Sequence, residues 1–235
     1  MPTAPLIQVM LKMVTVLQLS ILVPMIVVWL RKSEFLPAIK RLSWYVYLSA
    51  LCALGGHYTE YTPNALFIIG FSLGKIALFG AVYYMVLESA RMRQLVLMTT
   101  LTAVAVCIGL TAIGFVTNFF DIAITVSRMT QSAVLAAFAL VYLEQLLGRA
   151  NTVSLSGDPI WLLSVGQLLY SAGTVTAFSL DYLSKTQYDQ APKWIFISII
   201  GIIFNVFLTL AFLRAKTAPQ RAAGNNASVN RYAQV

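Results

Sequence analysis

The sequence predicts an all-α polytopic membrane protein with seven transmembrane helices. Hydrophobic residues make up 59% of the 235 residues and charged residues only 10%, and the mean hydropathy is +0.80. Soluble domains carry about 25% charged residues, so this chain has more apolar surface than one water-soluble core can bury. Runs of about 20 apolar residues recur along it, which is the length that crosses a bilayer as a helix.

Short polar or charged connections separate seven apolar segments. The segments cover residues 5–30, 42–56, 65–87, 95–118, 122–147, 159–180 and 194–214. No basic stretch precedes the first segment and no small-residue cleavage site follows it, so we expect a retained helix and not a removed signal peptide. We therefore predict a membrane domain over residues 1–215. Residues 216–235 are rich in small and polar residues and predict a disordered cytoplasmic tail.

Two pairs of segments predict an internal repeat. LSWYVYLSALCALGGHYTEY in the second segment matches DPIWLLSVGQLLYSAGTVTAF in the sixth, and LFIIGFSLGKIALF in the third matches IFISIIGIIFNVFL in the seventh. Three helices, one linker helix and three more helices would form a parallel 3+1+3 repeat. Apolar helices also resemble each other by composition alone, so the sequence leaves both interpretations open.

The basic residues predict the orientation, because lysine and arginine collect in cytoplasmic connections. Eleven lie in the first, third and fifth connections and the tail, against two on the other side: Arg31, Lys32, Lys40, Arg41, Arg91, Arg93, Arg149, Arg214, Lys216, Arg221 and Arg231 against Lys185 and Lys193. We expect the N-terminus outside and the C-terminus in the cytoplasm. The net charge of +8 then reflects topology and contact with anionic lipids, and it gives no reason to expect a nucleic acid partner.

Three cations fall inside the predicted spans: Lys12, Lys75 and Arg128. A charge in the hydrocarbon costs at least about 2.5 kcal/mol, so each must find a partner, an interface or a ligand. Lys12 and Arg128 lie toward the outer surface, where they either extend outward to pair with acidic residues or face a pocket. Lys75, in the stretch FSLGKIALFG, lies near mid-depth, which leaves a buried partner or a water-filled cavity.

Polar side chains at matching depths predict a ligand site in the outer half of the bundle. Gln167, Tyr170 and Ser171 share one helical face by their spacing of three and four residues. The predicted pocket would bind a small polar or anionic ligand. Its residues are Lys12, Gln18, Lys75, Arg128, Gln167, Tyr170 and Asn205. The G-x-x-x-G spacing of Gly70 and Gly74 predicts a packing face for a neighbouring helix.

The sequence contains no motif that predicts catalysis. It has no Gly-x-Ser-x-Gly, no His-Glu-x-x-His, no phosphate-binding glycine loop and no paired intramembrane aspartates. The chain has one histidine, and its seventh segment lacks the lysine that carries retinal in rhodopsins. We therefore expect no enzyme activity, no metal site and no cofactor.

The last two segments resemble a known group of proteins. Asp158, Pro159 and Trp161 open the sixth segment, and Asn205 lies inside the seventh. In these features residues 156–214 resemble uncharacterised seven-helix membrane proteins of Bacteroidota-type bacteria, some of which are similar to the membrane sensor portion of histidine kinases. The third segment departs from that pattern, which favours an acidic residue where this chain has GKIALF. The resemblance implies a protein of the bacterial cytoplasmic (inner) membrane with a sensor-like role.

Three functions fit these features, and we favour the first. A receptor-like sensor would bind its ligand in the outer half and signal through a separate cytoplasmic partner. A small-solute transporter or channel would need a polar path through both halves of the membrane, whereas the third segment offers only Tyr83 and Tyr84 between Ile76 and Val86. A non-catalytic assembly subunit, alone as a homo-oligomer or with other proteins, is the third.

Overall fold

The computed structural model describes residues 4–31, 35–58, 61–117, 120–148, 157–183 and 190–215, and all regular structure within these ranges is helical. The helices are α1 (Ala4–Ser20), α2 (Leu22–Arg31), α3 (Pro37–Tyr58), α4 (Tyr61–Val86), α5 (Ala90–Thr117), α6 (Phe120–Leu147), α7 (Pro159–Leu183) and α8 (Gln190–Arg214). The predicted all-α architecture is confirmed. The predicted disordered tail, residues 216–235, lies outside the described residues.

Six helical segments are long and apolar enough to cross a membrane. They are Pro5–Arg31, Leu66–Val86, Ala90–Gly114, Ile122–Leu147, Pro159–Ser179 and Ala191–Arg214. The fold is therefore that of a helical polytopic membrane protein. The second predicted span, now α3, is not among the six and is the least apolar of the helices. Its 22 residues extend about 33 Å at the usual rise of a helix.

The first predicted span is one segment in the sequence and two helices in the structure. α1 ends at Ser20 and α2 begins at Leu22. Pro24 has no backbone N–H, so it cannot donate to the carbonyl of Ser20 as a helix requires. The Ser20 hydroxyl donates to the carbonyl of Leu17, at 2.7 Å, within the last turn of α1. The proline thus explains an interruption that the segment boundaries 5–30 did not predict.

The helices form a ring, with α5 packed against its outside. Going round the ring, α1 and α2 pack on α8, α2 packs on α3, α3 on α4, α4 on α6, α6 on α7, and α7 on α8. α5 packs on α4 and α6 and exposes a row of large apolar side chains that includes Leu95, Met98, Leu101 and Ile108. An apolar surface of this extent is typical of a helix that faces lipid.

One end of the bundle collects the basic helix ends, and we call it the basic end. It is defined by Arg31, Lys40, Arg41, Arg91, Arg93 and Arg214. Arg31 donates from Nη1 to the carbonyl of Leu213 at 3.1 Å, so the C-terminal ends of α2 and α8 are adjacent. Asp158, at the start of α7, accepts a hydrogen bond from the hydroxyl of Tyr142 near the end of α6. The predicted helix start at Asp158 is confirmed, because Oδ1 accepts the N–H of Ile160 at 2.8 Å.

Candidate functional site

Lys75 lies at the centre of the ring, and its side chain is 0% exposed. Four aromatic rings surround its ammonium group. The distances from Nζ to the ring centroids are 3.9 Å for Tyr170, 4.4 Å for Phe204, 5.4 Å for Tyr45 and 5.5 Å for Phe79. These rings come from α7, α8, α3 and α4 itself. We call the four side chains the aromatic cage.

The rings of the cage also contact one another. Ring centroids are 5.3 Å apart for Tyr45 and Phe79, 5.4 Å for Tyr170 and Phe204, and 6.0 Å for Tyr45 and Phe204. The two pairs that involve Tyr45 meet edge to face, which is a favoured arrangement of aromatic rings. Phe79 follows Lys75 by four residues and therefore lies on the same face of α4. The cage thus joins four helices around one cation.

The cage explains how the fold tolerates a buried lysine. A lysine at the centre of a membrane helix costs roughly 2.5 to 3.5 kcal/mol on insertion scales, and a desolvated cation–π contact contributes about 2 kcal/mol. The two nearest rings are therefore enough to offset most of this cost. Among the described residues Nζ has no hydrogen-bond partner, and the charge that acts on it is the like charge of Arg128.

Aromatic faces attract the charge of an ammonium group, but they do not provide strong acceptors for its three N–H donors. Other buried polar atoms near this depth also lack partners within the described part of the chain: both polar side-chain atoms of Gln131, the hydroxyl of Ser132 and Oε1 of Gln167. All three residues are 0% exposed. Buried polar groups of this kind normally bind protein, water or a ligand. We call Lys75, Gln131, Ser132 and Gln167 the polar centre.

Ring contacts nearer the basic end fix the relative depth of α4 and α6. The ring of Tyr83 lies 6.1 Å from the rings of Phe138 and Tyr142, measured between centroids. Both helices run toward the basic end. Lys75 lies about two turns before Tyr83 on α4, and Gln131 lies about two turns before Phe138 on α6, so Lys75 and Gln131 are at the same depth. Gln131 also shares a helical face with Phe138 and Tyr142 by its spacing of seven and eleven residues. Its amide therefore faces α4 at the depth of Lys75.

One face of α7 is polar along much of its length. Ser164, Gln167, Ser171 and Thr174 follow each other at spacings of three or four residues, so they share a face, and each is at most 2% exposed. Gln167 donates from Nε2 to the Ser171 hydroxyl at 2.8 Å. The hydroxyls of Ser164 and Tyr83 share a hydrogen bond of 3.0 Å. We call these four residues the polar stripe.

The other faces of α7 show where the stripe lies. Gly166 faces α8, because a Cβ added there would be 2.6 Å from Cβ of Phe207, and Leu169 is exposed. Phe178 lies seven residues after Ser171 on the same face, and Met129 of α6 packs against the buried cluster that Phe178 forms with Ala177 and Ile197. The stripe therefore runs along the contact between α7 and α6, with Tyr83 of α4 reaching it from the centre.

The structure brings three of the predicted ligand residues together. Lys75 and Tyr170 are in contact, and Gln167 lies one helical turn from Tyr170. The ring of Phe71 lies between Arg128 and the cage. The guanidinium of Arg128 is 5.2 Å from the centroid of the Phe71 ring, and that ring is 5.9 Å from the Tyr45 ring of the cage.

The other three predicted residues lie elsewhere. Asn205 follows Phe204, but its Nδ2 donates to the Ser20 hydroxyl at 2.7 Å, so it joins α8 to α1. Lys12 is exposed and Gln18 is half-buried, and both lie on α1, which packs on α8. The structure does not bring these three residues into the cage.

The sequence reasoning missed most of the cage and part of the polar stripe. Phe79 could have been predicted from the sequence, because the i, i+4 spacing from Lys75 places both side chains on one face of α4. The three- and four-residue spacing of the stripe was also a readable signal, since it extends the face of Gln167 and Ser171 to Ser164. Tyr45 and Phe204 carry no local signal, because other helices supply them.

The fold and the site define a helical polytopic membrane protein with a buried lysine in an aromatic cage. Comparisons of the chain with protein-family models, with curated proteins and with solved structures find no match. The resemblance of residues 156–214 to Bacteroidota-type sensor proteins therefore stays a prediction.

Proposed function

We propose that the protein binds a small polar or anionic ligand at the polar centre, beside Lys75. The full burial of an ammonium group that has no hydrogen-bond acceptor among the described residues supports this proposal. An anion would supply both the counter-charge and the acceptors. The amide of Gln131 and the hydroxyl of Ser132 would donate further hydrogen bonds to it, and Arg128 would add a second positive charge nearby.

Ligand entry at this site requires the helices to move. Lys75, Gln131 and Gln167 are each 0% exposed, so a ligand reaches them only when helices of the ring separate. A ligand that favours the separated arrangement shifts the population of the bundle toward it. This coupling fits a receptor-like sensor that presents the altered basic end to a separate cytoplasmic partner.

In this proposal the protein spans the bacterial inner membrane seven times, with the basic end in the cytoplasm and the N-terminus outside. α3 would be the span that completes the seven, in addition to the six apolar segments, and its length and its packing between α2 and α4 support that assignment. The charge bias between the two ends supports the orientation.

A small-solute transporter or channel is the second candidate, and the polar stripe favours it. α4 alone has few polar groups between Lys75 and the basic end, but α7 adds Ser164 and Gln167 to that half of the bundle. The proposed 3+1+3 repeat fits this candidate as well, because α5 would be the linker and lies outside the ring. Lys75 and Phe204 occupy equivalent positions in the two matched segments, and they are in contact across the centre at 4.4 Å.

A thermal-shift series in detergent tests the proposed binding. The full chain is heated with inorganic phosphate, sulfate, acetate and citrate, each in the wild type, in Lys75→Met and in Lys12→Met. A ligand at a hundred times its dissociation constant stabilises the wild type by about 2.7 kcal/mol. We expect this stabilisation to disappear in Lys75→Met and to persist in Lys12→Met, which makes the same change on the exposed surface of α1.

The other outcomes separate the alternatives. Loss of stabilisation in both variants would indicate the wider outer pocket that includes Lys12. No stabilisation by any anion would contradict the proposal and favour an assembly subunit. If an anion binds, its uptake into vesicles separates the two candidates, since a transporter moves the bound anion and a sensor does not.

A further inference from the structure

We infer that the polar stripe, with its partners on α4 and α6, is a proton pathway between Lys75 and the basic end. The inference does not require a ligand at the polar centre. It assigns a role to hydroxyl and carboxyl groups that the proposed binding site leaves unused, namely those of Tyr83, Tyr142, Asp158 and Ser164.

The pathway begins at the basic end with a carboxylate. Asp158 is half-buried at the start of α7, and its Oδ2 accepts the hydroxyl proton of Tyr142. The ring of Tyr142 lies 6.1 Å from that of Tyr83, between centroids. The hydroxyl of Tyr83 shares its hydrogen bond with Ser164. A carboxylate is thus followed by three hydroxyl groups, each of which can both accept and donate a hydrogen bond.

The polar stripe continues the pathway to mid-depth. Beyond Ser164, each turn of α7 places one buried polar side chain on the same face, first Gln167 and then Ser171. Tyr170, which directly precedes Ser171, carries the ring in contact with Lys75. From Asp158 to Tyr170 the helix rises about 18 Å, which connects the basic end to the middle of a hydrocarbon core about 30 Å thick.

Water must bridge the step from Ser164 to Gln167. Gln167 donates directly to Ser171 at 2.8 Å, whereas the hydroxyl of Ser164 bonds to that of Tyr83 and lies about 5 Å along the axis from Gln167, which is longer than a direct hydrogen bond. Oε1 of Gln167 and the hydroxyl of Ser132 are buried and have no partner among the described residues. Buried waters bind to polar groups in this situation. Gln167 would orient such a water, and the serine hydroxyls would relay its proton.

The transfer conserves protons at every step. The ammonium of Lys75 releases one proton to a bridging water, so one N–H bond breaks and one O–H bond forms. Each water or hydroxyl then accepts one proton and releases another, until Asp158 is neutralised and releases its proton to the solution. The neutral amine of Lys75 regains a proton from the opposite side of the membrane.

Few other titratable groups face Lys75 in the described part of the chain. Tyr45 of α3, Arg128 of α6 and Tyr170 of α7 are its titratable or charged neighbours. α8 faces it with Phe204, and α5 places the thiol of Cys107 on the other side of α4, against Ile76. Lys75 is therefore the basic group from which this pathway starts.

Proton flux into vesicles tests the inference. The full chain is reconstituted in phosphatidylcholine vesicles that contain a pH-sensitive dye, and valinomycin with a potassium gradient sets the membrane potential. Asp158→Asn removes the carboxylate but keeps an N-cap oxygen, and Ser164→Ala removes one hydroxyl of the stripe. Thr176→Ala is the matched control, because that hydroxyl is exposed on α7 and donates to the carbonyl of Ala172 at 2.8 Å.

We expect the wild type to acidify the vesicles faster than protein-free vesicles do. Asp158→Asn and Ser164→Ala should lower the rate roughly tenfold or more, equivalent to about 1.4 kcal/mol in the barrier, and Thr176→Ala should leave it unchanged. Tyr83→Phe is the substitute if Ser164→Ala does not fold, as judged by gel filtration. A wild-type rate equal to that of protein-free vesicles, or normal rates in both pathway variants, would overturn the inference.

The inference and the proposed binding fail separately. Flux without anion stabilisation in the thermal-shift series would keep the pathway and remove the ligand site. Anion stabilisation without proton flux would keep the ligand site and remove the pathway.

Discussion

The ammonium group of Lys75 lies closer to the ring of Tyr170 than to any other ring of the cage, at 3.9 Å from the centroid. The same helix, α7, also supplies the polar stripe. Lys75 on α4 is therefore in contact with a helix that presents an aromatic ring and a row of buried hydroxyl and amide groups to the interior. In both proposals, a ligand or a proton at Lys75 would act first on the side-chain contacts between α4 and α7.

The cation–π contact with Tyr170 should be measurable as stability. Tyr170→Leu removes the ring, and we expect it to lower the free energy of unfolding by about 2 kcal/mol or more, the size of a desolvated cation–π contact. Tyr170→Phe keeps the ring and should cost less than about 1 kcal/mol. Thermal unfolding of the three proteins in the same detergent measures both values. Equal losses in the two variants would show that the ring does not stabilise the cation.

Lys75→Met should fold. An apolar side chain of similar size removes the cost of keeping an unpaired charge out of water, and methionine fits the apolar interior of the cage. We expect the melting temperature of this variant to equal or exceed that of the wild type. Lys75→Ala is the matched control, since it also removes the charge but leaves a cavity, and it should be less stable than Lys75→Met. Failure of Lys75→Met to fold would indicate that the lysine has a structural partner.

Two glycines on different helices should respond in opposite directions to alanine. Gly166 packs α7 against α8, with Phe207 2.6 Å from the added Cβ, whereas Gly109 on α5 has no atom within 4 Å of such a Cβ. Gly166→Ala should therefore destabilise by about 1 to 3 kcal/mol through overpacking. Gly109→Ala should stabilise by up to about 1 kcal/mol through helix propensity. Melting temperatures that fall by the same amount in both would contradict the helix packing described above.

The hydrogen bond between Asn205 and Ser20 should appear in a double-mutant cycle. Asn205→Ala and Ser20→Ala, singly and together, measure the coupling across α8 and α1. We expect about 0.6 kcal/mol, the average for hydrogen bonds between membrane helices. Thr15 donates within its own helix to the carbonyl of Leu11, so Thr15→Ala with Asn205→Ala should be additive and is the control. Additivity in the first cycle would mean that the bond does not hold the two helices together.

Much of the local structure was predictable from the sequence. The apolar segments gave the helices to within a few residues at most ends, and Asp158 with Pro159 gave the start of α7. The G-x-x-x-G face was predicted with partial success: a Cβ on Gly74 would meet Leu48 of α3, whereas one on Gly70 would meet nothing within 4 Å. The interruption at Ile21 was readable from Pro24, but the length of the apolar run concealed it.

The candidate site was only partly predictable. The sequence identified Lys75, Gln167 and Tyr170, because a charge or an amide within an apolar run is conspicuous. It also grouped Lys12 and Gln18 with them, because depth in the membrane can be read from a sequence but position around the bundle cannot. α1 packs on α8, so the exposed Lys12 is at a suitable depth on a different part of the ring.

By itself, the sequence determined that this chain forms apolar helices, because a chain in lipid must satisfy its backbone hydrogen bonds within each segment. That requirement is local, and so composition and length reveal it. Only the tertiary structure decided that Tyr45, Tyr170 and Phe204 surround Lys75. Those residues come from α3, α7 and α8, and side-chain packing between segments far apart in the chain sets which helices become neighbours.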